Sequence, residues 1–301
     1  MLAADRRVQG RPPPVLIEGE TGTGKSALAR WLHAQGPRAA APFVTLNCAA
    51  LPETLLESEL FGHERGAFTD AKQARLGLFE AAEGGTLFLD EIGALPATAQ
   101  AKLLLAVETG RVRRLGGTKE LATDVRVLAA GNVPLRQLVA EGRFREDLYH
   151  RLNLLHVALP PLRERAADLP ALARHLLGPL ATRHGFRSLA ITAAGIERLC
   201  AQPWRGNIRE LAHELERAVI FSDGEPLDFA HLAGAAMPPG TPPPPWRNPA
   251  WRLPENGFAL DDVTDALIQE ALRETGGNVS AAARRLGVSR DFLRYRLEGH
   301  A

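Results

Sequence analysis

The sequence predicts an α/β protein with a parallel, two-sided β-sheet, followed by a purely helical segment and a small helical tail. Three observations lead to this prediction. Short apolar runs alternate with helical patterns over the first 160 residues, as in parallel sheets covered on both faces. Beyond residue 165 the hydrophobic period becomes that of amphipathic helices. A proline-rich stretch then separates a body of about 235 residues from a tail of about 45.

Length and composition fit this organisation. The 301 residues, 45% hydrophobic and 24% charged, suffice for roughly two domains with cores of their own and exclude wholesale disorder. No apolar run approaches the roughly 20 residues of a spanning helix, and no signal peptide is evident. We therefore expect a cytoplasmic protein without a membrane partner, with Cys48 and Cys200 as buried thiols in a reducing compartment. The net charge of +1 argues against nucleic acid, but such an average hides local patches.

The individual elements follow from the apolar runs and their spacing. Strands are predicted at residues 15–17, 43–46, 86–89, 125–128 and 154–157. The next helix is predicted from apolar residues at helical spacing, namely Leu169, Leu172, Ala173, Leu176, Leu177 and Leu180. These patterns divide the chain into an α/β core (1–165), a helical subdomain (166–236), a proline-rich linker (237–257) and a helical tail (258–301).

A glycine-rich loop follows the first predicted strand and opens the first predicted helix. It fits the pattern G-x-x-x-x-G-K-[ST], and its members are Gly19, Glu20, Thr21, Gly22, Thr23, Gly24, Lys25 and Ser26. Such a loop turns backbone N–H groups toward phosphate oxygens, while Lys25 reaches the β- and γ-phosphates and Ser26 binds Mg²⁺. The looser dinucleotide pattern G-x-G-x-x-A also fits, but it expects an acidic residue about 20 positions on, where the chain has a predicted strand.

Two carboxylates end the third predicted strand. Asp90 and Glu91 follow an apolar run, and burying such groups is costly unless a cation or a reaction needs them. Together with the phosphate loop they predict a site in which Asp90 holds Mg²⁺ and Glu91 is the general base for an attacking water. An exposed Asp-Glu helix start is the structural alternative. ATP and Mg²⁺ are the expected cofactors.

Long sequence blocks carry a family resemblance. The blocks are Phe-Val-Thr-Leu-Asn-Cys-Ala-Ala at 43–50, Glu-Leu-Phe-Gly-His-Glu-Arg-Gly-Ala-Phe-Thr at 59–69, Phe-Arg-Glu-Asp-Leu-Tyr-His-Arg-Leu at 144–152 and Pro-Leu-Arg-Glu-Arg at 161–165. From residue 15 to about 230 the chain resembles the AAA+ ATPase domain of sigma-54-dependent bacterial transcription activators. The resemblance implies a P-loop AAA+ core and an all-helical lid.

The resemblance also implies roles for two asparagines and a lid arginine. Asn47 is expected to restrain Glu91 by a hydrogen bond, although capping of its own strand end is the alternative. Asn132 is expected to sense the γ-phosphate; the preceding residue, often threonine in the family, is Gly131 here. Arg209 resembles the lid arginine that contacts nucleotide within the same subunit.

Arg145 and Arg151 resemble arginine fingers that reach the nucleotide of a neighbouring subunit. A guanidinium fork stabilises charge that is spread over phosphate oxygens. Surface ion pairs are the alternative for two arginines in an arginine-rich chain. The family role implies a homo-oligomeric ring, a hexamer.

One segment of the chain resembles the loop with which the family presses on sigma-54. The family loop ends Gly-Ala-Phe-Thr-Gly-Ala, and the corresponding residues here are Gly66, Ala67, Phe68, Thr69, Asp70 and Ala71. Asp70 replaces a glycine and adds a charge, although aspartate tolerates left-handed backbone better than most residues. We expect a working but altered contact with sigma-54 RNA polymerase holoenzyme; a loop that no longer engages sigma-54 is the alternative.

The tail is predicted to form three helices and resembles the Fis-type DNA-binding domain of these activators. An apolar face comprises Val263, Leu267, Ala271 and Leu272; Asn278 or Ser280 caps the second helix, Gly287 ends it, and Ser289 caps the third. Residues 279–301 carry five arginines against two acidic residues, a net +3. Double-stranded DNA is therefore an expected partner. The expected contacts are Arg284, Arg285, Ser289, Arg290, Asp291, Arg294 and Arg296.

The combined prediction is a Mg²⁺-dependent ATPase that binds upstream DNA and remodels sigma-54 holoenzyme. The alternative is a DNA-binding regulator whose weakened ATPase is an oligomerisation switch and which does not act on sigma-54. An AAA+ loader or chaperone accounts for neither the 66–71 segment nor the tail. Fourteen residues precede Val15, so we expect the sensor to lie outside this sequence, whether because the chain is truncated, starts late or is controlled in trans.

Overall fold

The computed structural model describes residues 12–68, 71–222, 224–234 and 260–297. The chain divides between Asp228 and Phe229 into two compact units, and each is described separately. The predicted proline-rich linker, 237–257, lies outside the described residues, as do Thr69 and Asp70. No helix in the described ranges is long and apolar enough to cross a membrane.

The first unit is built on a five-stranded parallel sheet. Its strands are β1 (Val15–Glu18), β2 (Phe43–Asn47), β3 (Thr86–Asp90), β6 (Arg126–Gly131) and β7 (Leu155–Ala158). Their order in the sheet is β2-β3-β6-β1-β7. All five predicted strands form, and the α/β fold class is confirmed. Because every strand of this sheet is parallel, the carboxyl ends of β1, β3 and β6 lie on the same side, where loops from different strands meet. We call the side at which the strands end the carboxyl edge, and the side at which they begin the amino edge.

Helices cover both faces of this sheet. They are α1 (Lys25–Ala34), α2 (Glu53–Phe61), α3 (Leu78–Ala81), α4 (Ala97–Thr109), α5 (Leu135–Ala140) and α6 (Glu146–Leu152). Successive strand residues point to opposite faces: Leu16 packs with α2 and α4 to α6, while Val15 and Ile17 pack with α1. This two-sided burial explains why the strands are continuous apolar runs instead of alternating ones.

A short antiparallel hairpin was not predicted from the sequence. It pairs β4 (Arg111–Arg113) with β5 (Glu120–Ala122) beyond the end of α4. Each strand has three residues and two of the three are polar or small, so neither presents the apolar run on which the strand predictions depended. The loop between them contacts the 63–71 segment, since Leu115 forms a bridge with His63.

The second half of this unit is helical, as predicted. A 3₁₀ segment (Leu162–Asp168) leads into α7 (Leu169–Arg183), α8 (Ala193–Cys200) and α9 (Asn207–Ile220). The apolar stripe of α7 buries Leu169, Ala173 and Leu177, in agreement with its predicted spacing. Helix α8 begins at the cap residue Thr192, whose hydroxyl accepts a hydrogen bond from the Gly195 amide at 2.9 Å.

The second unit contains the predicted three-helix tail. Its helices are α10 (Leu260–Glu274), α11 (Val279–Leu286) and α12 (Arg290–Leu297). Asn278 caps α11, Gly287 ends it in the left-handed conformation, and the Ser289 hydroxyl accepts from the Phe292 amide, as predicted. The core comprises Ile268, Ala271, Ala282, Ala283 and Leu293.

The prediction for Leu267 is wrong. Its side chain is 57% exposed, whereas the adjacent Ile268 is buried. The two residues lie about 100° apart on the helix, and Leu267 and Ile268 precede Ala271 by four and three residues, so helical spacing alone admits either as its partner in the core. Contact with α11 and α12 selects the stripe that contains Ile268 and Ala271.

Candidate active site

The phosphate loop lies where β1 ends and α1 begins, at the carboxyl edge of the sheet. Gly24 caps α1 in the left-handed conformation, with φ 102°, which a residue with a Cβ rarely adopts. Gly22 has φ 82°, and a Cβ there would lie 2.3 Å from the Gly206 carbonyl oxygen. The loop therefore needs these two glycines both for its curvature and for its close approach to the chain before α9.

Lys25 lies inside this loop. Only 6% of the residue is exposed, and Nζ donates to the carbonyl oxygens of Gly19 at 2.7 Å and Glu20 at 3.2 Å. Burial lowers the pKa of Lys25, while the nearby carboxylates of Glu91 and Asp90 oppose that effect. The loop thus holds a cation at its centre without a dedicated acidic partner.

Ser26 and Asp90 come together although 64 residues separate them. The Ser26 hydroxyl donates to Asp90 Oδ2 at 3.2 Å, and the other carboxylate oxygen, Oδ1, accepts from the Glu91 amide at 3.1 Å. A hydroxyl beside a carboxylate is a donor set that suits Mg²⁺, which takes few protein ligands and completes its shell with phosphates and water. In keeping with this, the described residues include no cluster of three or more His, Cys, Asp or Glu side chains that could hold a metal ion.

Glu91 has a strained backbone. Its φ of 52° and ψ of 47° are left-handed, which is uncommon for a residue that is not glycine. Such conformations persist where the surrounding structure demands them, and they are frequent in active sites. Here the turn directs the chain from β3 into a 3₁₀ segment (Ile92–Ala94) and leaves the Glu91 side chain at the rim of the same cavity as Lys25.

A cavity of about 250 Å³ joins these groups to the helical subdomain. Its lining combines the loop, the two carboxylates and the first turns of α9. The lining residues are Thr21, Gly22, Gly24, Lys25, Ser26, Ala27, Asp90, Glu91, Ile208, Arg209 and Ala212. Arg209 therefore lines the same cavity as the glycine-rich loop of its own chain, although it is distant in sequence from the loop.

Glu20 and Thr23 contact the helical subdomain instead of pointing into the cavity. Two bonds join Arg163 to the Glu20 carboxylate, at 2.8 and 2.6 Å, and Arg165 donates to the Thr23 carbonyl oxygen at 2.9 Å. Asn207 donates to the Thr21 carbonyl oxygen at 3.0 Å. The sequence analysis assigned no role to these three donors.

The expected hydrogen bond between Asn47 and Glu91 does not occur among the described residues. Asn47 Oδ1 instead accepts from the Ala49 amide at 2.9 Å, which is the strand-end capping alternative. Asn47 is still close to the site, because it pairs in register with Asp90. The local cap therefore sets the orientation of the Asn47 side chain in this conformation.

Asn132 directly follows β6 and is exposed. The preceding Gly131 pairs with Glu18 in register, and its carbonyl oxygen accepts from the Gly19 amide at 3.2 Å. Asn132 thus lies beside the start of the phosphate loop, but it is not part of the cavity lining in the described structure. A Cβ on Gly131 would lie 3.2 Å from the Val133 carbonyl oxygen, so the turn has little space for threonine.

Arg145 and Arg151 lie away from this cavity, on either end of α6. Arg145 forms a two-bonded ion pair with Asp147, at 3.0 and 2.7 Å, and both side chains are about half exposed. Arg151 lines a second cavity, of about 340 Å³, together with Pro14, Val125 and Leu154. Pro14, Val125 and Leu154 directly precede β1, β6 and β7, respectively. This cavity therefore lies where the strands begin, at the amino edge of the sheet and opposite the phosphate loop.

The 63–71 segment is held to the body at its base. The Gly66 amide donates to the Ala71 carbonyl oxygen at 2.8 Å, and Ala67 packs against Gly116 of the hairpin loop. Phe68 is 39% exposed and its ring contacts His63 edge-on at 4.9 Å. The segment therefore presents an aromatic ring at the surface, next to the undescribed Thr69 and Asp70.

The basic residues of the tail lie mainly at the surface. Arg284, Arg290 and Arg294 are exposed, and Ser289 also caps α12. Arg285 forms an ion pair with Glu274 at 2.9 Å, which leaves it less available for DNA than we expected. The Arg296 guanidinium lies 6.0 Å from the centre of the Phe292 ring. The Asp291 side chain lies outside the described residues.

Comparison with known families matches three segments of the chain. The Sigma-54 interaction domain matches residues 1–158, an AAA+ ATPase lid domain matches 163–241, and the Fis family of bacterial regulatory proteins matches 259–299.

Proteins of similar sequence include regulatory proteins, and a protein of similar structure is NtrX. The Nif-specific regulatory protein of Azotobacter vinelandii is 46% identical over 97% of this chain and 55% of its own length. The response regulator protein PilR of Pseudomonas aeruginosa is 44% identical over 95% and 64%. The crystal structure of NtrX from Brucella abortus in complex with ATP is 31% identical, covers 98% of this chain and 65% of its own, and has a TM-score of 0.67. The chain thus spans about half to two thirds of the length of these relatives.

Proposed function

Because the chain belongs to the family of proteins built on the sigma-54 interaction domain, we propose that it is an ATP-hydrolysing transcriptional activator of sigma-54 RNA polymerase holoenzyme. In this proposal, residues 1–165 are the nucleotide-binding core, 166–236 the lid, 237–257 a linker and 258–301 the DNA-binding domain. The observation that carries it is the meeting of Ser26, Asp90 and Glu91 with Lys25 and Arg209 around one cavity. The protein acts in the cytoplasm, where its polymerase partner is.

The phosphate loop binds ATP. Backbone amides of the glycine-rich loop and the amino end of α1 hold the phosphate oxygens, and Lys25 exchanges its carbonyl partners for the β- and γ-phosphates. Arg209 adds a second cation from the lid of the same subunit. Ser26 and Asp90 hold Mg²⁺, which neutralises charge on the phosphate oxygens when it is bound.

Glu91 is the general base for hydrolysis. Its carboxylate accepts the proton of the attacking water, and its left-handed backbone keeps it at the cavity rim next to Asp90. Asn47 is the last residue of β2, and Asn132 directly follows β6. These two strands flank β3, and from their ends the two asparagines respond to the γ-phosphate. In another nucleotide state the Asn47 side chain would release the backbone amide of Ala49, and its Nδ2 would then donate to the Glu91 carboxylate.

Arg145 and Arg151 complete the site of a neighbouring subunit. Both lie away from their own phosphate cavity, which supports action between subunits in a homo-oligomeric ring, a hexamer in this proposal. The exposed pair between Arg145 and Asp147 is of a kind that contributes little to stability, so it can be exchanged for a phosphate contact at low cost.

The 66–71 segment and helix α12 bind the two macromolecular partners. Phe68, which is 39% exposed, and Thr69, which follows it in the sequence, press on sigma-54, while Asp70 alters the charge of that contact. Helix α12 enters the major groove of an upstream DNA site, with Arg290, Asp291 and Arg294 toward base edges. Arg284, Arg285, Ser289 and Arg296 contact phosphates or support that contact.

Capture of sigma-54 holoenzyme tests this proposal. Purified chain with ADP and aluminium fluoride, a stand-in for the hydrolysis transition state, should retain holoenzyme, and chain without nucleotide should not. Phe68→Ala should abolish capture while leaving ATP hydrolysis within about twofold, since the residue lies outside the nucleotide cavity. Phe221→Ala is the matched control, because it removes a phenylalanine that is 82% exposed at the end of α9.

Asp70→Gly separates the two hypotheses about the loop. A variant that captures more holoenzyme than the wild type means that the aspartate weakens a working contact. If neither wild type nor Asp70→Gly captures holoenzyme while both hydrolyse ATP, the sigma-54 assignment is wrong and the oligomerisation-switch alternative stands.

A further inference from the structure

A fully buried asparagine joins the phosphate loop to the helical subdomain. Asn207 is 0% exposed and begins α9 with a left-handed φ of 55°. Its Nδ2 donates to the Thr21 carbonyl oxygen at 3.0 Å and to Glu20 Oε2 at 3.2 Å, and its Oδ1 accepts from the Leu162 amide at 2.7 Å. The Nδ2 amino group is thus bonded to the glycine-rich loop, and Oδ1 to the start of the 3₁₀ segment (Leu162–Asp168).

Glu20 is shared between Asn207 and Arg163. Arg163 contacts both carboxylate oxygens through its two terminal nitrogens, a fork that fixes orientation as well as distance. These hydrogen bonds, first from Arg163 and then from Asn207, lower the pKa of Glu20 to about 2. The pair is about half exposed and would contribute little alone, but its bond to a buried amide ties it to a defined geometry. We call Glu20, Arg163 and Asn207 the latch.

The backbone next to Asn207 also contacts the phosphate loop. The Ile208 amide donates to the Gly22 carbonyl oxygen at 2.9 Å, so the phosphate loop satisfies an N–H in the first turn of α9. Ile208 is followed directly by Arg209, which lines the nucleotide cavity. The latch residue Asn207 therefore lies two residues before Arg209, and the Ile208 amide contact lies one residue before it.

We propose that Asn207, with Glu20 and Arg163, is a positioning unit that holds Arg209 over the phosphate cavity, so that ATP affinity depends on the latch through Arg209. This inference rests on the proposed ATPase function. An arginine side chain has many rotamers and binds phosphate well only when its backbone is held in place beforehand. The latch provides that placement by bonding the loop that holds the phosphates to the helix that carries the guanidinium.

The first test removes the buried amide while preserving the backbone. Asn207→Gly keeps the left-handed conformation accessible, because glycine adopts positive φ without strain. We expect the Kd of a fluorescent ATP analogue to rise about tenfold in the full-length chain. Arg217→Gln is the matched control: it lies on the same helix, is exposed, and contacts Glu214 instead of the loop, so its Kd should stay within twofold of wild type.

A double-mutant cycle separates positioning from a purely structural role. Arg209→Gln alone should also raise the Kd about tenfold, and adding Asn207→Gly should raise it by less than a further twofold, because an unplaced Arg209 no longer contributes. If the two effects multiply to about a hundredfold, Asn207 stabilises the lid without acting through Arg209, and the proposal is overturned. A wild-type chain that binds no ATP overturns the proposed function itself.

Arg163 provides a second variant that leaves the interior intact. Its side chain is about half exposed, so Arg163→Gln should fold even if Asn207→Gly does not. We expect a Kd increase of about threefold that is again lost in the Arg209→Gln background. Arg163→Lys keeps the charge but not the fork and should recover only part of the affinity. Full additivity with Arg209→Gln in this series would also overturn the proposal.

Discussion

The two edges of the parallel sheet differ in what they offer a nucleotide. The carboxyl edge brings Lys25, Ser26, Asp90, Glu91 and Arg209 to one cavity of about 250 Å³. The amino edge has a larger cavity, about 340 Å³, with proline and aliphatic walls and two charged residues, Arg151 and Glu108. The first edge combines a lysine, an arginine, a hydroxyl and two carboxylates around the glycine-rich loop, whereas the second has one arginine on a largely apolar wall.

This difference shows how the proposed reaction is divided between subunits. A parallel sheet gathers loops at its carboxyl edge, where helix amino ends and strand-end carboxylates serve a bound nucleotide. Arg151 is at the opposite edge and does not line the cavity of its own phosphate loop, so under the proposed function it acts on the nucleotide of a neighbouring subunit. Substitutions at either edge should therefore abolish ATP turnover, but only substitutions at the carboxyl edge should change ATP affinity.

Arg151→Gln should produce the largest effect. We expect kcat to fall about a thousandfold, the magnitude typical of arginine fingers, while the Kd for ATP changes by less than threefold. Steady-state ATPase assays and fluorescent-nucleotide titrations measure the two quantities. Arg143→Gln is the matched control, because Arg143 is exposed and pairs with Glu141 near the start of α6. A large rise in Kd would place Arg151 at its own subunit's nucleotide.

Glu91→Gln should produce the next largest effect. Loss of the general base should lower kcat about a hundredfold, while ATP still binds because the loop and Lys25 are unchanged. Near-normal turnover would rule out Glu91 as the base.

Mixing the two variants sharpens the comparison further. A Glu91→Gln subunit still supplies Arg151, and an Arg151→Gln subunit still supplies Glu91, so contacts between the two variants contain one intact site. An equal mixture should recover about a quarter of wild-type activity if subunits assemble at random. No recovery would mean that Arg151 acts only within its own subunit.

The smallest expected effect concerns pH and the latch. Glu20 has a pKa lowered from 4.5 to about 2, so its ion pair adds stability above pH 4.5 and loses that contribution as the pH falls toward 2. The difference in unfolding free energy between wild type and Glu20→Gln should be constant from pH 7 to 5 and shrink below 4.5. Denaturant titrations at pH 7, 5 and 3.5 measure it. A difference that grows as the pH falls would contradict the direction of this pKa.

Much of the site could be predicted because its signals are local. The pattern from Gly19 to Ser26 specifies a loop through backbone conformation and a helix start, which depend on neighbouring residues. The carboxylates Asp90 and Glu91 follow an apolar strand, and parallel strands place their carboxyl ends at one edge. The caps at Asn278 and Ser289 were likewise correct, since a cap bonds to an amide three residues away.

The wrong and missing predictions concern choices between competing contacts. Asn47 had two possible partners, and the nearby Ala49 amide is the one it binds here. Leu267 and Ile268 were both plausible core residues, and packing against α11 and α12 selected Ile268. The hairpin from Arg111 to Ala122 had no apolar run, and its strands exist because they pair with each other.

The sequence alone was enough for the five strands of the parallel sheet, the glycine-rich loop, the adjacent carboxylates and the three-helix tail, since each depends on residues that are close in the chain. The latch required the folded structure. Asn207 and Glu20 are 187 residues apart, and no spacing rule relates them. Their contact arises because α9 packs against the loop, so that a buried amide must find partners on whatever lies opposite. The placement of Arg151 at the far edge of the sheet has the same origin, because it depends on where α6 packs and not on the residues beside it.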